Sequence, residues 1–268
     1  MRAKKHLGQH FLTSKAVLAD IITASQLRMG ETVLEIGPGT GVLTQALIEA
    51  GVQVVAIEAD PDMVAILEEK FAPQIERGAL SIVFNDILQV ALTDFSMQEL
   101  VGGTKTYKLV ANIPYYITGE IIRRFLTADV QPASMTLLVQ KEVAERIARS
   151  RKESILSISV KAYGTPRYVS TVPARYFSPV PKVDSAVLTI SDISKRFFTD
   201  FSEERFFKIV RAGFSSKRKK LLNNLSSFGS KDVLIRHLAS VGLSENARAE
   251  EVSLEQWGTL AKALATEH

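Results

Sequence analysis

The fold is indicated first by the run Thr32-Val33-Leu34-Glu35-Ile36-Gly37-Pro38-Gly39-Thr40-Gly41, which a helical pattern follows from Val42 to Ala50. Residues 32–36 have the composition of a short buried strand. Glycines between a strand and a helix let the backbone approach a ligand closely at the helix N-terminus. This order of strand, glycine loop and helix predicts the first unit of an open, mostly parallel α/β sheet that binds a nucleotide-like ligand.

Two further predicted strands end in polar residues. The strand Gln53 to Ile57 ends in Glu58, at the spacing of about 20 residues from the first glycine where nucleotide folds carry an acid that holds ribose hydroxyls. The strand Leu80 to Phe84 ends in Asn85-Asp86, which could hold an adenine amino group. Because the carboxyl ends of parallel strands share one edge of a sheet, we expect these residues to meet in one crevice.

The tetrapeptide Asn112-Ile113-Pro114-Tyr115 follows a fourth apolar run, Tyr107 to Ala111. The Asn112 side-chain oxygen and the Ile113 carbonyl can each accept an N–H of an exocyclic amine and so free its lone pair. Pro114 fixes its own φ and favours an extended Ile113, which aims that carbonyl. The Tyr115 ring offers a face on which an unstacked base can lie. The tetrapeptide predicts a nucleobase amine as the target, although Asn and Pro are also common in turns.

With these residues in place, the chain resembles the S-adenosylmethionine-dependent RNA adenine dimethyltransferases. It is most similar to the bacterial family that dimethylates two adjacent adenines in the 3′-terminal hairpin of small-subunit ribosomal RNA. The resemblance implies a doubly wound, Rossmann-like α/β sheet of seven strands with a terminal antiparallel pair. It covers nearly the whole length and rests on Lys4 to Leu12, Glu35 to Gly39, Asn112 to Tyr115, Gln140 to Val143, Phe177 to Ser185 and Arg248 to Ser253.

The resemblance also implies the site residues, with S-adenosylmethionine as methyl donor. The cofactor would be bound by His10, Leu12, Gly37, Gly39, Glu58, Asp86 and Asn112. The catalytic set would be Asn112, Ile113, Pro114, Tyr115 and Phe177, with Phe177 and Tyr115 on either face of the flipped adenine. The chain departs from the family at two positions, because the family usually has Asn in place of His10 and often Asn in place of Tyr116.

Composition excludes several other classes of protein. The 268 residues contain no Cys, which excludes disulfides, thiolate zinc sites and a Cys nucleophile. The four histidines show no metal-ligand spacing, so we predict no metal. No apolar run approaches the length of a membrane span, and no apolar segment with a cleavage site follows the basic first residues. We therefore expect a cytoplasmic protein that does not contact a membrane.

Positive charge is concentrated in two places, although the formal net charge is only +4. The N-terminal segment includes Lys4 and Lys5 and has no acid before Lys15. The second cluster is Lys217-Arg218-Lys219-Lys220, in a segment predicted to be helical from Ser216 to Leu225. A single charged run is usually a solvated face. Two runs flanking a predicted base-binding sheet favour contact with RNA phosphates, which can position RNA without reading its sequence.

We expect two domains, with residues 1–190 forming the methyltransferase domain and residues 191–268 a small all-helical domain that binds RNA or docks on the ribosome. Strand signals end after Ile190. Helical patterns follow at Glu203 to Phe214, Arg218 to Leu225, Lys231 to Val241 and Leu254 to Ala265, and Ser253 with Gln256 predicts a capping box. We expect Trp257 and the phenylalanine pairs at 197–198 and 206–207 to lie in the core rather than in a ligand site.

The expected partner is small-subunit rRNA within an immature small ribosomal subunit, on which the protein acts as a monomer. Three alternatives remain at this point. A related enzyme would modify large-subunit rRNA and confer macrolide resistance, but the segments Val183 to Ser185 and Arg248 to Ser253 argue against it. A non-catalytic assembly or transcription factor would not need the cofactor residues. A nicotinamide oxidoreductase fits the glycine loop less well, since Val42 stands where its third glycine belongs.

Overall fold

A computed structural model describes residues 9–92 and 106–264. The chain divides into two compact units, of which the first holds residues 1–145 and 165–193 and the second residues 146–164 and 194–268. Residues 146–164 therefore group with the second unit, whereas the predicted boundary at residue 191 placed them in the methyltransferase domain. The chain leaves the first unit after residue 145 and returns to it at residue 165, so a single boundary in the sequence cannot separate the two units.

The first unit is built on a seven-stranded mixed sheet. The strands of the described residues are β1 (Phe11–Leu12), β2 (Thr32–Ile36), β3 (Gln53–Glu58), β4 (Leu80–Phe84), β5 (Tyr107–Asn112), β6 (Ser134–Gln140), β7 (Thr165–Val172), β8 (Phe177–Ser178) and β9 (Ser185–Ser191). The sheet has the order β4-β3-β2-β5-β6-β9-β7. The first five strands in this order are parallel to one another, and β9 is antiparallel to both of its neighbours, β6 and β7. The predicted doubly wound sheet with a terminal antiparallel pair is confirmed.

The register of the sheet aligns the ends of its central strands. Ile36 pairs with Ile57 on one side and with Ala111 on the other. Glu58 and Asn112 are the next residues of their strands, so both lie at the edge where the glycine loop begins. β2 is buried along its whole length, as expected for a central parallel strand covered on both faces.

A separate two-stranded sheet was not predicted. β1 and β8 pair antiparallel, with Phe11 opposite Ser178 and Leu12 opposite Phe177. Strands of two residues are too short to show a periodic pattern in the sequence. Their pairing places residues 11–12 beside the loop that begins at Phe177.

The helices of the described residues include each helix that the sequence predicted individually, with a difference at one place. They are α1 (Lys15–Ser25), α2 (Val42–Glu49), α3 (Pro61–Lys70), α4 (Ala72–Glu76), α5 (Thr118–Thr127), α6 (Lys141–Ala148), α7 (Ile155–Tyr163), α8 (Glu203–Gly213), α9 (Leu221–Asn224), α10 (Lys231–Ser240) and α11 (Leu254–Ala263). Within residues 9–92 and 106–264, none has the length and apolar character needed to traverse a lipid bilayer.

The exception is the segment predicted to be a helix from Arg218. The helix α9 begins only at Leu221, and residues 217–220 form a turn. The side-chain amide of Asn224 donates to the carbonyls of Gly213 at 2.6 Å and Ser216 at 3.0 Å, which holds the turn closed. These tertiary bonds override the helix propensity of a Lys- and Arg-rich segment.

The second unit has an aromatic core, as the sequence predicted. Trp257 and Phe206 are fully buried, and Phe198 contacts both Phe206 and Phe207 with ring centroids 5.6 and 5.8 Å apart. At the start of α11 the predicted capping box is present, since Ser253 and Gln256 each bond the other's backbone N–H. Phe207 is also buried, whereas Phe197 and Phe198 are half-buried at the margin of this core.

Candidate active site

A cleft lies along the carboxyl edge of strands β2 to β5. Its walls are the segment 9–12, the glycine loop, the end of β3, the residues after β4 and the tetrapeptide after β5. All the predicted cofactor and catalytic residues except Phe177 line it, namely His10, Leu12, Gly37, Gly39, Glu58, Asp86, Asn112, Ile113, Pro114 and Tyr115. Parallel strands thus bring together residues that are about a hundred positions apart in the chain.

The glycine loop approaches its neighbours too closely for side chains. Gly39 has a φ of +55°, and a Cβ there would lie 2.8 Å from the Phe11 ring. Gly41 has a φ of +74°, and a Cβ there would lie 2.5 Å from the Phe71 ring. Glycine is required at both positions, because an L side chain would be strained in its backbone and would collide with a ring. The loop therefore leaves backbone, rather than side chains, exposed to the cleft.

Glu58 is buried at the end of β3 and holds the glycine loop. Its carboxylate accepts hydrogen bonds from the backbone N–H of Gly39 at 3.0 Å and of Asp60 at 2.9 Å. Burial raises the pKa of Glu58, against the lowering effect of these bonds. The backbone N–H of Ala59 also acts on this carboxylate and lowers its pKa. Because a carboxylate has about four acceptor positions, Glu58 can still accept a hydrogen bond from a hydroxyl group.

Glu35 is a second buried acid beside the cleft, and the sequence analysis did not assign it a role. Thr44 donates its hydroxyl to Glu35 at 2.7 Å. Burial, together with the nearby charge of Glu58 and against the lowering effect of the Thr44 hydrogen bond, raises the pKa of Glu35 to about 8. Glu35 therefore keeps its proton at neutral pH. The sequence did carry a signal for this residue, because Glu35 is a charged residue within a strand that is otherwise mostly apolar.

The segment after β4 is held by Arg124, a second residue to which the sequence assigned no role. Asp86 is exposed and accepts from the N–H of Leu88 at 2.9 Å. The Arg124 guanidinium, on α5, donates to the carbonyls of Leu88 at 2.7 Å and Val90 at 2.6 Å. Because α5 begins just after the tetrapeptide, Arg124 joins the two walls of the cleft. No local sequence pattern identifies a contact of this kind.

The tetrapeptide presents two oxygen atoms that are free to accept hydrogen bonds. The side-chain N–H of Asn112 donates to the backbone carbonyl of His10 at 2.9 Å, which fixes the orientation of the amide. Among the described residues, no donor bonds the Asn112 side-chain oxygen or the Ile113 carbonyl. Pro114 has a φ of −55°, as its ring requires. The site can therefore accept two N–H bonds from a bound amine.

The ring of Tyr115 is held by two contacts, one at its hydroxyl and one at its face. Its hydroxyl bonds the buried Ser185 hydroxyl at 2.6 Å. Its ring stacks against the His10 imidazole, with centroids 5.8 Å apart and an angle of 22° between the planes. Burial raises the pKa of Tyr115, so the phenol stays protonated at neutral pH. Tyr115 is thus a rigid aromatic surface in the cleft.

Phe177 occupies a different place from the one expected. It is only 2% exposed, pairs with Leu12 through β1 and β8, and packs in the hydrophobic core with Leu12, Val172 and Val187. The predicted sandwich needs an exposed ring in the cleft, and Phe177 is not one of the residues that line it. In this structure Phe177 supports the wall that carries Leu12, and the aromatic residues that line the cleft are His10, Phe11, Tyr115 and Tyr116.

The buried position of Phe177 predicts how shortening its side chain changes the stability of the protein. We expect Phe177→Ala to lower the free energy of unfolding by about 3–5 kcal/mol, because it deletes a buried ring. Chemical denaturation of Phe177→Ala and Phe177→Leu measures the loss, which should be much smaller for Leu. A stable Phe177→Ala protein that has lost its activity would instead restore the base-stacking role.

The basic cluster Lys217 to Lys220 lies on the surface of the second unit. All four side chains are exposed, and none forms an ion pair with a described residue. None of the four lines the cleft. The other predicted RNA-binding residues, Lys4 and Lys5, fall outside the described residues.

Metal-binding groups are not seen in the described part of the chain. No group of three or more His, Asp or Glu side chains within residues 9–92 and 106–264 is placed to hold a metal ion.

Comparison with known proteins identifies close relatives over the full length. A family model described as ribosomal RNA adenine dimethylase matches residues 1–266. Ribosomal RNA small subunit methyltransferase A of Dehalococcoides mccartyi (strain ATCC BAA-2266) is 43% identical over 97% of this chain and 88% of its own length. The protein of the same name from Fusobacterium nucleatum is 40% identical over 97% of this chain and 96% of its own length. Among solved structures, the 23S rRNA methyltransferase ErmE is 26% identical, covering 96% of this chain and 100% of its own, with a TM-score of 0.76.

Proposed function

Because the chain belongs to the ribosomal RNA adenine dimethylase family, we propose that it dimethylates the N6 amines of two adjacent adenines in the 3′-terminal hairpin of small-subunit rRNA. The observation that carries the proposal is the pair of free acceptors, the Asn112 side-chain oxygen and the Ile113 carbonyl, at the end of a nucleotide-type cleft. Relatives named for the small subunit are 40–43% identical, whereas the large-subunit enzyme ErmE is 26% identical. This difference favours the small subunit as the substrate.

The cleft suits S-adenosylmethionine in its chemistry. Glu58 has acceptor capacity left for a ribose hydroxyl, and the exposed Asp86 is available to an adenine amine. The buried apolar side chain of Ile57 and that of Ile87 line the same cleft and fit the faces of a purine ring. When bound, S-adenosylmethionine supplies an electrophilic methyl group on a sulfonium.

The residues of the tetrapeptide account for the activation of the amine. Asn112 and Ile113 each accept one N–H, which draws the nitrogen toward a pyramidal form with its lone pair available. Tyr115 holds the base by stacking and stays protonated at neutral pH. No titrating side chain is needed, because the methylated amine is acidic and releases its proton to water. Rate enhancement therefore comes from positioning and from fixed dipoles.

A monomethylated amine still has one N–H, so one of the two acceptors can hold it for a second transfer. We further propose that the protein acts as a monomer and that the substrate is rRNA within an immature small subunit in the cytoplasm. The intact cofactor edge favours catalysis over a purely non-catalytic assembly or transcription role.

Transfer of a labelled methyl group tests the proposal directly. The protein should label immature small subunits and leave large subunits unlabelled, whereas the large-subunit alternative gives the reverse. Calorimetric titration with S-adenosylmethionine and with NAD separates both from the oxidoreductase alternative, since only S-adenosylmethionine should bind. A protein that binds S-adenosylmethionine without labelling either subunit would contradict the proposal.

The role of Glu58 gives a prediction of its own. We expect Glu58→Ala to weaken S-adenosylmethionine binding by about 1–3 kcal/mol, the cost of losing hydrogen bonds to a charged acceptor. Because burial raises the pKa of Glu58, the affinity of the unaltered protein should fall as the pH is lowered through this raised value, above the range of an ordinary glutamate. Calorimetry at several pH values measures both effects.

The matched control is Glu58→Gln, which keeps the shape of the side chain and one acceptor oxygen. It should remove the pH dependence that comes from Glu58. Unchanged affinity in a folded Glu58→Ala protein would show that Glu58 only supports the glycine loop.

A further inference from the structure

The side chain of His10 lies against the predicted base site. Its Nδ1–H donates to the carbonyl of Pro179 at 2.7 Å, and its ring stacks against Tyr115. Its backbone carbonyl separately accepts from Asn112. The family resemblance implies a cofactor role at this position, yet the three observed contacts of His10 are to the tetrapeptide and to the residue two positions after Phe177.

The ring geometry limits where a base can bind. A planar base needs roughly 3.5 Å to each ring that it contacts, so a base between two rings needs about 7 Å. The His10 and Tyr115 centroids are 5.8 Å apart, which leaves no room for a base between them. The imidazole therefore covers part of Tyr115, and the base must use the part that remains open to the cleft.

We propose that the His10 imidazole is a positioning element for the target adenine, which acts by fixing the plane of Tyr115 rather than by contacting the cofactor. The Ser185 hydroxyl holds the far end of Tyr115, and His10 supports its face. Pro179 in turn fixes the imidazole. This inference rests on the proposed function, because it concerns the base that the proposed reaction methylates.

Variants of His10 separate the side chain from the backbone. His10→Ala keeps the carbonyl that bonds Asn112 and removes only the ring. We expect its single-turnover methylation rate to fall roughly 2- to 10-fold, which corresponds to the usual contribution of one aromatic pair. The affinity for S-adenosylmethionine should stay within about twofold of the unaltered protein. His10→Phe keeps a ring against Tyr115 and should recover most of the rate.

A double-mutant cycle tests the route through Tyr115. In a Tyr115→Ala background, His10→Ala should change the rate no further, because the ring that it supports is gone. Additive effects would overturn the proposal, as would failure of His10→Phe to recover the rate. Weakened S-adenosylmethionine binding in His10→Ala would return His10 to the cofactor site, and a faster rate would show that the imidazole blocks the base. Failure of the unaltered protein to methylate small subunits would instead reject the proposed function itself.

Discussion

Replacing Asn112 with Ala should lower the single-turnover rate of methyl transfer by about 10²-fold or more, the scale observed when one preorganised polar contact to a transition state is lost. The Asn112 side-chain oxygen is one of the two free acceptors, and its amide is already oriented by the His10 carbonyl. Preorganisation of this kind requires no rearrangement at the moment of reaction. Rapid-quench measurement with saturating S-adenosylmethionine and small subunits isolates the chemical step.

Asn112→Asp is the sharper variant, because it keeps an acceptor oxygen but cannot donate to the His10 carbonyl as a carboxylate. It also places a negative charge at the end of the cofactor cleft. We expect its rate to fall as well, with cofactor affinity altered by the added charge. A near-normal single-turnover rate in folded Asn112→Ala would show that the tetrapeptide does not activate the amine.

Reversing the charge of Lys217, Arg218, Lys219 and Lys220 to Glu should give the second large effect. All four are exposed and unpaired among the described residues, so they are available to phosphates. Each phosphate contact contributes roughly 0.7–0.9 to the slope of log affinity against log salt. If all four contact RNA, affinity for small subunits should fall by at least about 10²-fold near 0.1 M salt, with a flatter salt dependence.

Two comparisons make this result specific. S-adenosylmethionine affinity should not change, since none of the four residues lines the cleft. Reversal of Lys231 and Arg236, two exposed basic residues on α10, changes the net charge in the same direction outside the cluster. This control should alter the slope much less. An unchanged salt slope in the fourfold variant would mean that the cluster only keeps the surface soluble.

The parts of the site that the sequence predicted are those encoded locally. The strand Thr32–Ile36 and its glycine loop form one continuous pattern, and Glu58 and Asn112 follow apolar runs directly. Strand ends of a parallel sheet converge by geometry, so their meeting could be expected without a structure. The resemblance supplied the number of strands and the terminal antiparallel pair, which the residues alone did not.

Contacts between distant segments could not be predicted. The bond from His10 to Pro179 joins residues 169 positions apart, and the bonds from Arg124 to Leu88 and Val90 depend on how α5 packs. The burial of Phe177 depends on a two-residue strand pair with no pattern of its own. These features follow from tertiary packing, which local sequence patterns do not report.

Mapping of the modified bases tests most directly whether the chain dimethylates N6 of two adjacent adenines in small-subunit rRNA. Immature small subunits should be incubated with the protein and labelled S-adenosylmethionine, and the rRNA digested and mapped by mass spectrometry. We expect two added methyl groups on each of two adjacent adenines in the 3′-terminal hairpin, and unmodified bases at the same positions with Asn112→Ala at matched times. Methylation of another base, at a ring carbon, or only in large-subunit rRNA would contradict it.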